Sequence, residues 1–271
     1  WLIIAYPNEA WASRVLPNET PENGLEILQD AMIRILRLDK DDPIAAWDTH
    51  LKDLESRRSY LNDKKYVGLY YTAPGTDLKV GLPENHIWGA ARFTTQGGIT
   101  WTSNLPTEEV FTIPHKEKTE GYVTASKPLR HGGSIIDDFS ITFENGRVVK
   151  ATAKKGESAL NNILDTDEGS RQLGEVALVP HSSPISQSGL LFFNTLFDEN
   201  ASNHLALGRA FKFAMKDGID MTDEEFADVG GNNSLAHVDF MIGSGEMDVD
   251  GVRQDGSTEA VMRNGEWAFD V

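Results

Sequence analysis

The chain has 271 residues and a formal net charge of −17 at pH 7, an acidic balance that repels phosphate backbones and disfavours nucleic acid as a partner. Hydrophobic residues make up 39% of the chain and charged residues 25%, which is typical of a soluble globular protein that can bury a sizeable core. Cysteine is absent, which excludes disulfides and thiolate metal sites, and no apolar run reaches the roughly 20 residues of a membrane span, so we expect a cytoplasmic protein without a membrane partner.

The first 61 residues read as the end of another unit. WLIIAYP, residues 1–7, is almost entirely apolar, a pattern typical of a buried strand in a parallel sheet. Residues 21–38 and 43–61 carry apolar residues at helical spacing, and the second stretch begins with proline, a residue that favours the first turn of a helix. We therefore predict that residues 1–61 are a helical connector left from an N-terminal α/β domain that has been removed.

From residue 62 onward the pattern changes to short β-branched and aromatic runs that are separated by Gly, Pro, Asn or Asp. The clearest hairpin is FENGRVV, residues 143–149, with Asn145 and Gly146 in the turn. Residues 156–166 predict a short helix, and LALGRAFKFAM, residues 205–215, predicts another. The sequence therefore predicts an α+β fold, with residues 62–271 as a mixed, largely antiparallel, β-rich catalytic domain with flanking helices.

Polar residues within two of the predicted strands are candidates for chemistry. His237 and Asp239 lie two apart in HVDFMIG, so a strand would place both on one face, where they could bind a metal or hydrogen-bond each other. Glu175 is the only acid in LGEVALVP. Because an unpaired buried carboxylate is costly, Glu175 requires a cation, a proton or a position at a sheet edge.

Two further acids and one histidine remain. Glu108 and Glu109 precede the run VFTIP; they point to opposite sides in a regular strand but could converge in an irregular one, and a charged strand start is the plain alternative. His204 follows the triplet DEN, and a helix from about residue 201 would place it on one face with Gly208 and Phe211. His204 is then either a core histidine paired with a nearby acid or a metal ligand.

Together these side chains could form a two-metal centre. Two divalent ions about 3.5–4 Å apart, bridged by a carboxylate, can hold and activate a water molecule. Ligands of this type suit zinc or cobalt, with manganese or magnesium as further options. A carboxylate pair acting as a glycosidase would need no metal, but it leaves the histidines without a role. The candidate ligands are Glu109, Glu175, His204, His237 and Asp239.

Several strings resemble one family when they are taken together. LPTEEVFTIP, TEGYV, LGEVALVP, LFFNTLFDENASNHLALGRAF and HVDFMIG occur in this order, and they resemble the motifs of the aminopeptidase T family, thermophilic metallo-aminopeptidases that include aminopeptidase S. The resemblance covers the whole chain. It implies hydrolysis of N-terminal residues from peptides with a free N-terminus, a homodimer when the protein is full length, and two divalent metal ions.

The resemblance also implies roles for individual residues. The metal-binding glutamates of PTEEVFT and LGEVALV match Glu109 and Glu175. The histidine of ENAS-x-HLALG matches His204, and the His-x-Asp pair matches His237 and Asp239. These are the five residues that the polar pattern had already singled out as ligands.

Two catalytic assignments follow from the same resemblance. The family usually has an active-site tyrosine where this chain has Phe211, which keeps the ring but lacks a donor for the developing oxyanion. This difference supports an alternative in which the protein binds metal and peptide but turns over slowly. In other two-metal aminopeptidases an acid beside a bridging ligand is the base, so by analogy Glu108 is predicted as the general base.

Overall fold

Three helices open the chain in the computed structural model, which describes residues 1–271. They are α1 (Glu9–Val15), α2 (Pro21–Ile35) and α3 (Pro43–Lys64). α2 and α3 each start with proline, and the side chains of Thr20 and Asp42 accept hydrogen bonds from the first-turn backbone, an arrangement that satisfies otherwise unpaired donors. The two helices predicted for this part of the sequence are confirmed.

Sixteen strands and four further helices follow. The strands are β1 (Gly68–Ala73), β2 (Thr76–Gly81), β3 (Gly89–Ala90), β4 (Phe93–Thr94), β5 (Thr100–Trp101), β6 (Val110–Thr112), β7 (Thr119–Thr124), β8 (Leu129–His131), β9 (Ser134–Glu144), β10 (Arg147–Lys155), β11 (Leu173–Leu178), β12 (His204–Gly208), β13 (His237–Met241), β14 (Asp248–Val252), β15 (Thr258–Arg263) and β16 (Glu266–Trp267). The helices are α4 (Glu157–Leu164), α5 (Pro184–Gln187), α6 (Thr195–Asp198) and α7 (Asp223–Asp228).

Two sheets contain nearly all of these strands. The larger has the order β10-β9-β7-β2-β1-β14-β15-β16, with β8 beside β9, and the smaller has the order β13-β12-β11-β6-β3. Every pairing between these strands is antiparallel. The predicted α+β fold with largely antiparallel sheets is confirmed. None of the helices combines the length and the apolar character that a bilayer crossing requires.

The main hydrophobic core includes side chains from both sheets and from α3. Leu54 of α3, Leu69 of β1 and Phe240 of β13 are each at most 2% exposed in the same cluster. A second cluster includes Leu28 of α2 and Phe197 of α6. The helices of residues 1–61 therefore bury apolar surface against residues 62–271, and the domain boundary at residue 61 stays a prediction.

The predicted buried strand at residues 1–7 is wrong. Trp1 is 81% exposed and Ile4 is 63% exposed, and Ile3 makes only an isolated bridge to Asn104. An apolar run becomes a strand only where a neighbouring strand satisfies its backbone groups, and here the ladder is a single bridge long.

The predicted helix at residues 205–215 is also wrong. Its first residues form β12, which pairs with β11 on one side and with β13 on the other, and only a short 3₁₀ turn at Lys212–Ala214 is helical. Leu and Ala favour helices intrinsically, but pairing on both edges within a sheet overrides that preference.

The predicted hairpin turn is confirmed. Glu144 and Arg147 pair across the β9–β10 turn, and the two residues between them, Asn145 and Gly146, have φ angles of 50° and 79°. Positive φ at both central positions is the signature of the type I′ turn, whose twist matches that of the flanking strands.

Replacing Gly146 with alanine is expected to destabilise the protein more than its positive φ alone would. A Cβ there would lie 2.0 Å from the carbonyl oxygen of Lys116. Gly256→Ala is a matched control, because Gly256 has a φ of 83° and nothing within 4 Å of its Cβ position. Urea denaturation should show Gly146→Ala to be about 1–3 kcal/mol less stable than Gly256→Ala. Equal losses in the two variants would contradict this account.

Candidate metal centre

Neighbouring strands of the smaller sheet place the candidate side chains side by side. Ala206 of β12 pairs with Glu175 of β11 and with Asp239 of β13, and Gly208 of β12 pairs with His237 of β13. Residues that are directly opposite in antiparallel strands project to the same face. The carboxylates of β11 and β13 therefore flank the small side chain of Ala206.

A β-bulge sets the direction of Glu175. Leu173 pairs with Leu207 and Glu175 pairs with Ala206, so Gly174 is an extra residue on β11. A Cβ at Gly174 would lie 2.3 Å from the carbonyl oxygens of Gly208 and Arg209, and only glycine tolerates that approach. Bulges of this kind re-aim side chains and are common beside active sites.

The five predicted ligands come together as two groups that share one carboxylate: Glu109, Glu175 and His204, and Glu175, His237 and Asp239. His204 Nε2 lies 3.1 Å from Glu109 Oε2 and 3.7 Å from Glu175 Oε1. His237 Nε2 lies 3.3 Å from Asp239 Oδ1 and 3.7 Å from Glu175 Oε2. Each oxygen of Glu175 thus faces a different histidine, as a bridging carboxylate would require.

Hydrogen bonds orient both imidazole rings towards the carboxylates. His204 Nδ1 lies 3.2 Å from the carbonyl oxygen of Ser202, and His237 Nδ1 lies 2.7 Å from that of Arg209. A carbonyl can only accept, so each Nδ1 carries the hydrogen. The lone pair of each Nε2 then faces carboxylate oxygens. Only a proton or a cation between the nitrogen and the oxygens relieves the repulsion between them. Histidine ligands of metals have the same arrangement, so these residues fit divalent ions.

Burial and mutual proximity shift the pKa values of these groups. Burial raises the pKa of Glu175 to about 7, although its contact with His204 partly offsets this. Burial lowers the pKa of His237, but Asp239 and Glu175 outweigh it and raise the value to about 9. For His204, contacts with Glu109 and Glu175 likewise outweigh burial and raise the pKa well above its ordinary value. Without metal, His237 therefore holds a proton at neutral pH, and the carboxylates around His204 favour its protonated form as well.

Glu199 is a further acid, not among the predicted site residues, that lines a small pocket together with Asp239. Burial raises its pKa well above the ordinary value, and the nearby charges of Asp239 and Glu109 add to the effect. The side-chain amide nitrogen of Asn200 lies 3.5 Å from Oε1 of Glu199, which makes a long hydrogen bond. The available signal was its place in the triplet DEN, residues 198–200, which precedes His204.

Glu108 lies outside both groups. Its carboxylate accepts two hydrogen bonds from Arg37, at 2.8 and 3.1 Å, and lies 3.4 Å from His50 Nε2. Of the two arrangements that the sequence left open for Glu108 and Glu109, the structure has the divergent one. Successive residues of an extended chain project to opposite sides, and the two carboxylates follow that rule.

Phe211 lies beside the centre, but the backbone that places it there is not the predicted helix. Its ring centroid is 4.7 Å from that of His237 and 5.3 Å from that of Phe213, on which it stacks. The predicted helix would have placed Phe211 on the same face as His204, two turns away. Because β12 is a strand, the chain instead carries Phe211 past the end of the sheet to the other histidine.

Comparisons with known proteins identify the family of the chain. A family model described as thermophilic metalloprotease (M29) matches residues 1–267. The chain is 47% identical over 269 residues to aminopeptidase AmpS of Bacillus subtilis (strain 168), covering 99% of this chain and 66% of that protein. It is 48% identical over 271 residues to aminopeptidase 2 of Geobacillus stearothermophilus, covering 100% and 66%.

The solved structures include a similar fold. Wild-type AmpT from Thermus thermophilus matches with a TM-score of 0.93 at 46% identity, over 99% of this chain and 65% of that chain. The family resemblance that the sequence motifs indicated is confirmed. The present chain spans just under two thirds of the length of these relatives.

Calorimetric titration with zinc or cobalt is expected to show two ions per chain. Ligand nitrogens must be free of protons, and the pKa of His237 in the metal-free protein is about 9. Binding should therefore release protons, and the affinity should increase as the pH rises towards 9. Titrations in buffers of different ionisation enthalpy measure the release directly.

Variants identify the groups that hold the ions. Glu175→Ala and His204→Ala should each reduce the number of bound ions, because both remove a contact at the shared carboxylate. His86→Ala is a matched control, since His86 Nδ1 also bonds a carbonyl, at 2.7 Å from Pro83 O, but faces no carboxylate. Full binding by both site variants, or binding without proton release, would contradict the assignment.

Proposed function

This chain belongs to the thermophilic metalloprotease family (M29), and from that membership we propose that it is a metallo-aminopeptidase that removes N-terminal residues from peptides. The names of the relatives, which are aminopeptidases, support the reaction. One observation supports the metal requirement above all others: both imidazoles have Nδ1 bonded to a carbonyl and Nε2 facing carboxylates. A homodimer of the full-length protein and a cytoplasmic location stay predictions.

Two groups of side chains would hold the ions, and Glu175 would contribute one oxygen to each. When bound, divalent ions lower the pKa of the attacking water and polarise the scissile carbonyl. The nitrogen and oxygen donors suit zinc or cobalt, and manganese or magnesium is also compatible. The proposed ligands are Glu109, Glu175, His204, His237 and Asp239.

Glu199 is better placed than Glu108 to act as general base. The carboxylate of Glu108 is already engaged by Arg37 in a bidentate contact. Glu199 instead lines a small pocket together with Asp239, and burial, with the charges of Asp239 and Glu109, raises its pKa well above the ordinary value. A base must reach the proton that it removes. We therefore transfer the predicted role from Glu108 to Glu199, which would take a proton from the attacking water and return it to the leaving amine.

Phe211 supports a second candidate function, that of a slow variant which binds metal and peptide. Its ring lies against His237, so a phenol at this position would be close to the reacting groups. Phenylalanine cannot donate a hydrogen bond there. The glycosidase alternative has no comparable support, because it assigns no role to either histidine of the cluster.

Peptide analogues with a free amino group test the proposed reaction. Leucine 4-nitroanilide should be hydrolysed, its N-acetyl derivative should not, and a chelator should abolish activity that zinc or cobalt restores. Glu199→Gln should lower kcat by about 10²–10⁴-fold while the ions remain bound. Equal hydrolysis of the acetylated substrate would contradict an aminopeptidase, and an unchanged kcat in Glu199→Gln would contradict its role as base.

Introducing a phenol at position 211 tests the second candidate function. Phe211→Tyr should raise kcat by about 10²-fold, the value of one oxyanion donor, with little change in KM. Phe213→Tyr is the control, because Phe213 stacks on Phe211 but is 42% exposed. A rate that stays the same in Phe211→Tyr would exclude the slow-variant candidate.

A further inference from the structure

A buried ion pair next to the candidate centre has no part in the proposed reaction. Arg37 binds both oxygens of Glu108, and the two side chains are 15% and 4% exposed. A buried pair of charges is a weak source of stability, because desolvation offsets the attraction. Bidentate contact between guanidinium and carboxylate does, however, fix the orientation of both groups.

The surroundings of Arg37 hold the guanidinium in one place. Arg37 follows the end of α2 with a left-handed φ of 58°, and its guanidinium lies 4.8 Å from the ring centroid of Trp47. Nη1 also donates to the carbonyl oxygen of Ile35 at 3.2 Å. Trp47 Nε1 in turn donates to the carbonyl oxygen of Leu36 at 2.7 Å. The cation is therefore anchored to α2 and α3 independently of Glu108.

Two further hydrogen bonds fix the backbone that carries Glu108. His50 Nε2 of α3 lies 2.8 Å from the carbonyl oxygen of Thr107; burial lowers the pKa of His50, so the neutral ring donates this bond. The backbone N–H of Glu108 donates to Asn200 Oδ1 at 2.7 Å. The segment before β6 is thus attached to α3 on one side and to the loop that carries Glu199 on the other.

These contacts determine where the next residue points. Because neighbouring side chains of an extended segment project to opposite sides, holding the Glu108 carboxylate at Arg37 directs that of Glu109 to His204, 3.1 Å away. We propose that Arg37, His50 and Glu108 form a positioning clamp that orients Glu109 as a metal ligand. The proposal rests on the proposed function, since it assumes that Glu109 binds metal. The clamp acts through Glu109, so its members are positioning residues.

The first test compares cobalt binding by Glu108→Gln with binding by a matched control. Glu108→Gln should weaken cobalt binding by about 10–100-fold, the usual effect of losing a group that orients a metal ligand, and should change the visible absorption of bound cobalt. Arg57→Met is the control. Arg57 is 17% exposed and paired with Asp53 on α3, but it has no contact with Glu108, so cobalt affinity should stay at the wild-type value.

A double variant separates positioning from stability. Arg37→Met together with Glu108→Gln leaves no unpaired buried charge. The urea midpoint of the double variant should therefore lie closer to that of the wild type than the midpoint of Glu108→Gln does. Cobalt affinity should stay low, because Glu109 is no longer oriented. Recovery of affinity together with stability would overturn the clamp. Loss of activity in Glu108→Gln with wild-type cobalt affinity and absorption would also overturn it, because Glu108 would then act directly in the reaction.

A metal-free measurement keeps this test independent of the proposed function. The ¹⁵N resonances of the His204 imidazole report its contact with Glu109, and they should shift in metal-free Glu108→Gln but not in Arg57→Met. Unchanged His204 resonances would overturn the clamp. If the wild-type protein bound no cobalt, the proposed function would fail, and the His204 resonances would still decide whether Glu108 orients Glu109.

Discussion

The register of β12 between β11 and β13 is the constraint on which the candidate centre depends. It sets Ala206 between Glu175 and Asp239 and sets Gly208 opposite His237. A slip of one residue would turn every side chain of a strand to the other face and disperse the cluster. The bulge at Gly174 is part of the same constraint, because it lets β11 keep its pairing while Glu175 faces the centre.

That register concentrates like charges in a partly buried place, and the cost of doing so explains the chemistry of the centre. Burial raises the pKa of a carboxyl group, and neighbouring carboxylates add to the effect, as they do for Glu175 and Glu199. Protonated histidines partly neutralise the negative charge of these carboxylates, and divalent ions would neutralise more of it. The same side chains would serve as ligands if divalent ions bound, and ion binding would then be linked to proton release.

The helices at the start of the chain contribute more than apolar contacts. α2 is followed by Arg37 and α3 carries His50, and both reach the segment that leads into β6. The two adjacent glutamates of that segment consequently have different surroundings: Glu108 meets a guanidinium, whereas Glu109 meets His204. Two residues of the same type, one position apart, thus have different partners because their side chains face opposite sides.

The sequence by itself determined the features that depend on local pattern and on residue chemistry. Helical spacing after a proline identified α2 and α3, Asn145-Gly146 identified a hairpin turn, and isolated acids and histidines in apolar runs identified the side chains that the structure gathers. The tertiary structure alone decided that residues 204–208 are a strand, that Glu108 and Glu109 diverge, and that Glu199 lines a pocket with Asp239. Each of these depends on partners far away in the chain, and local preference carries no information about such partners because strand pairing and charge proximity are set only when the sheet assembles.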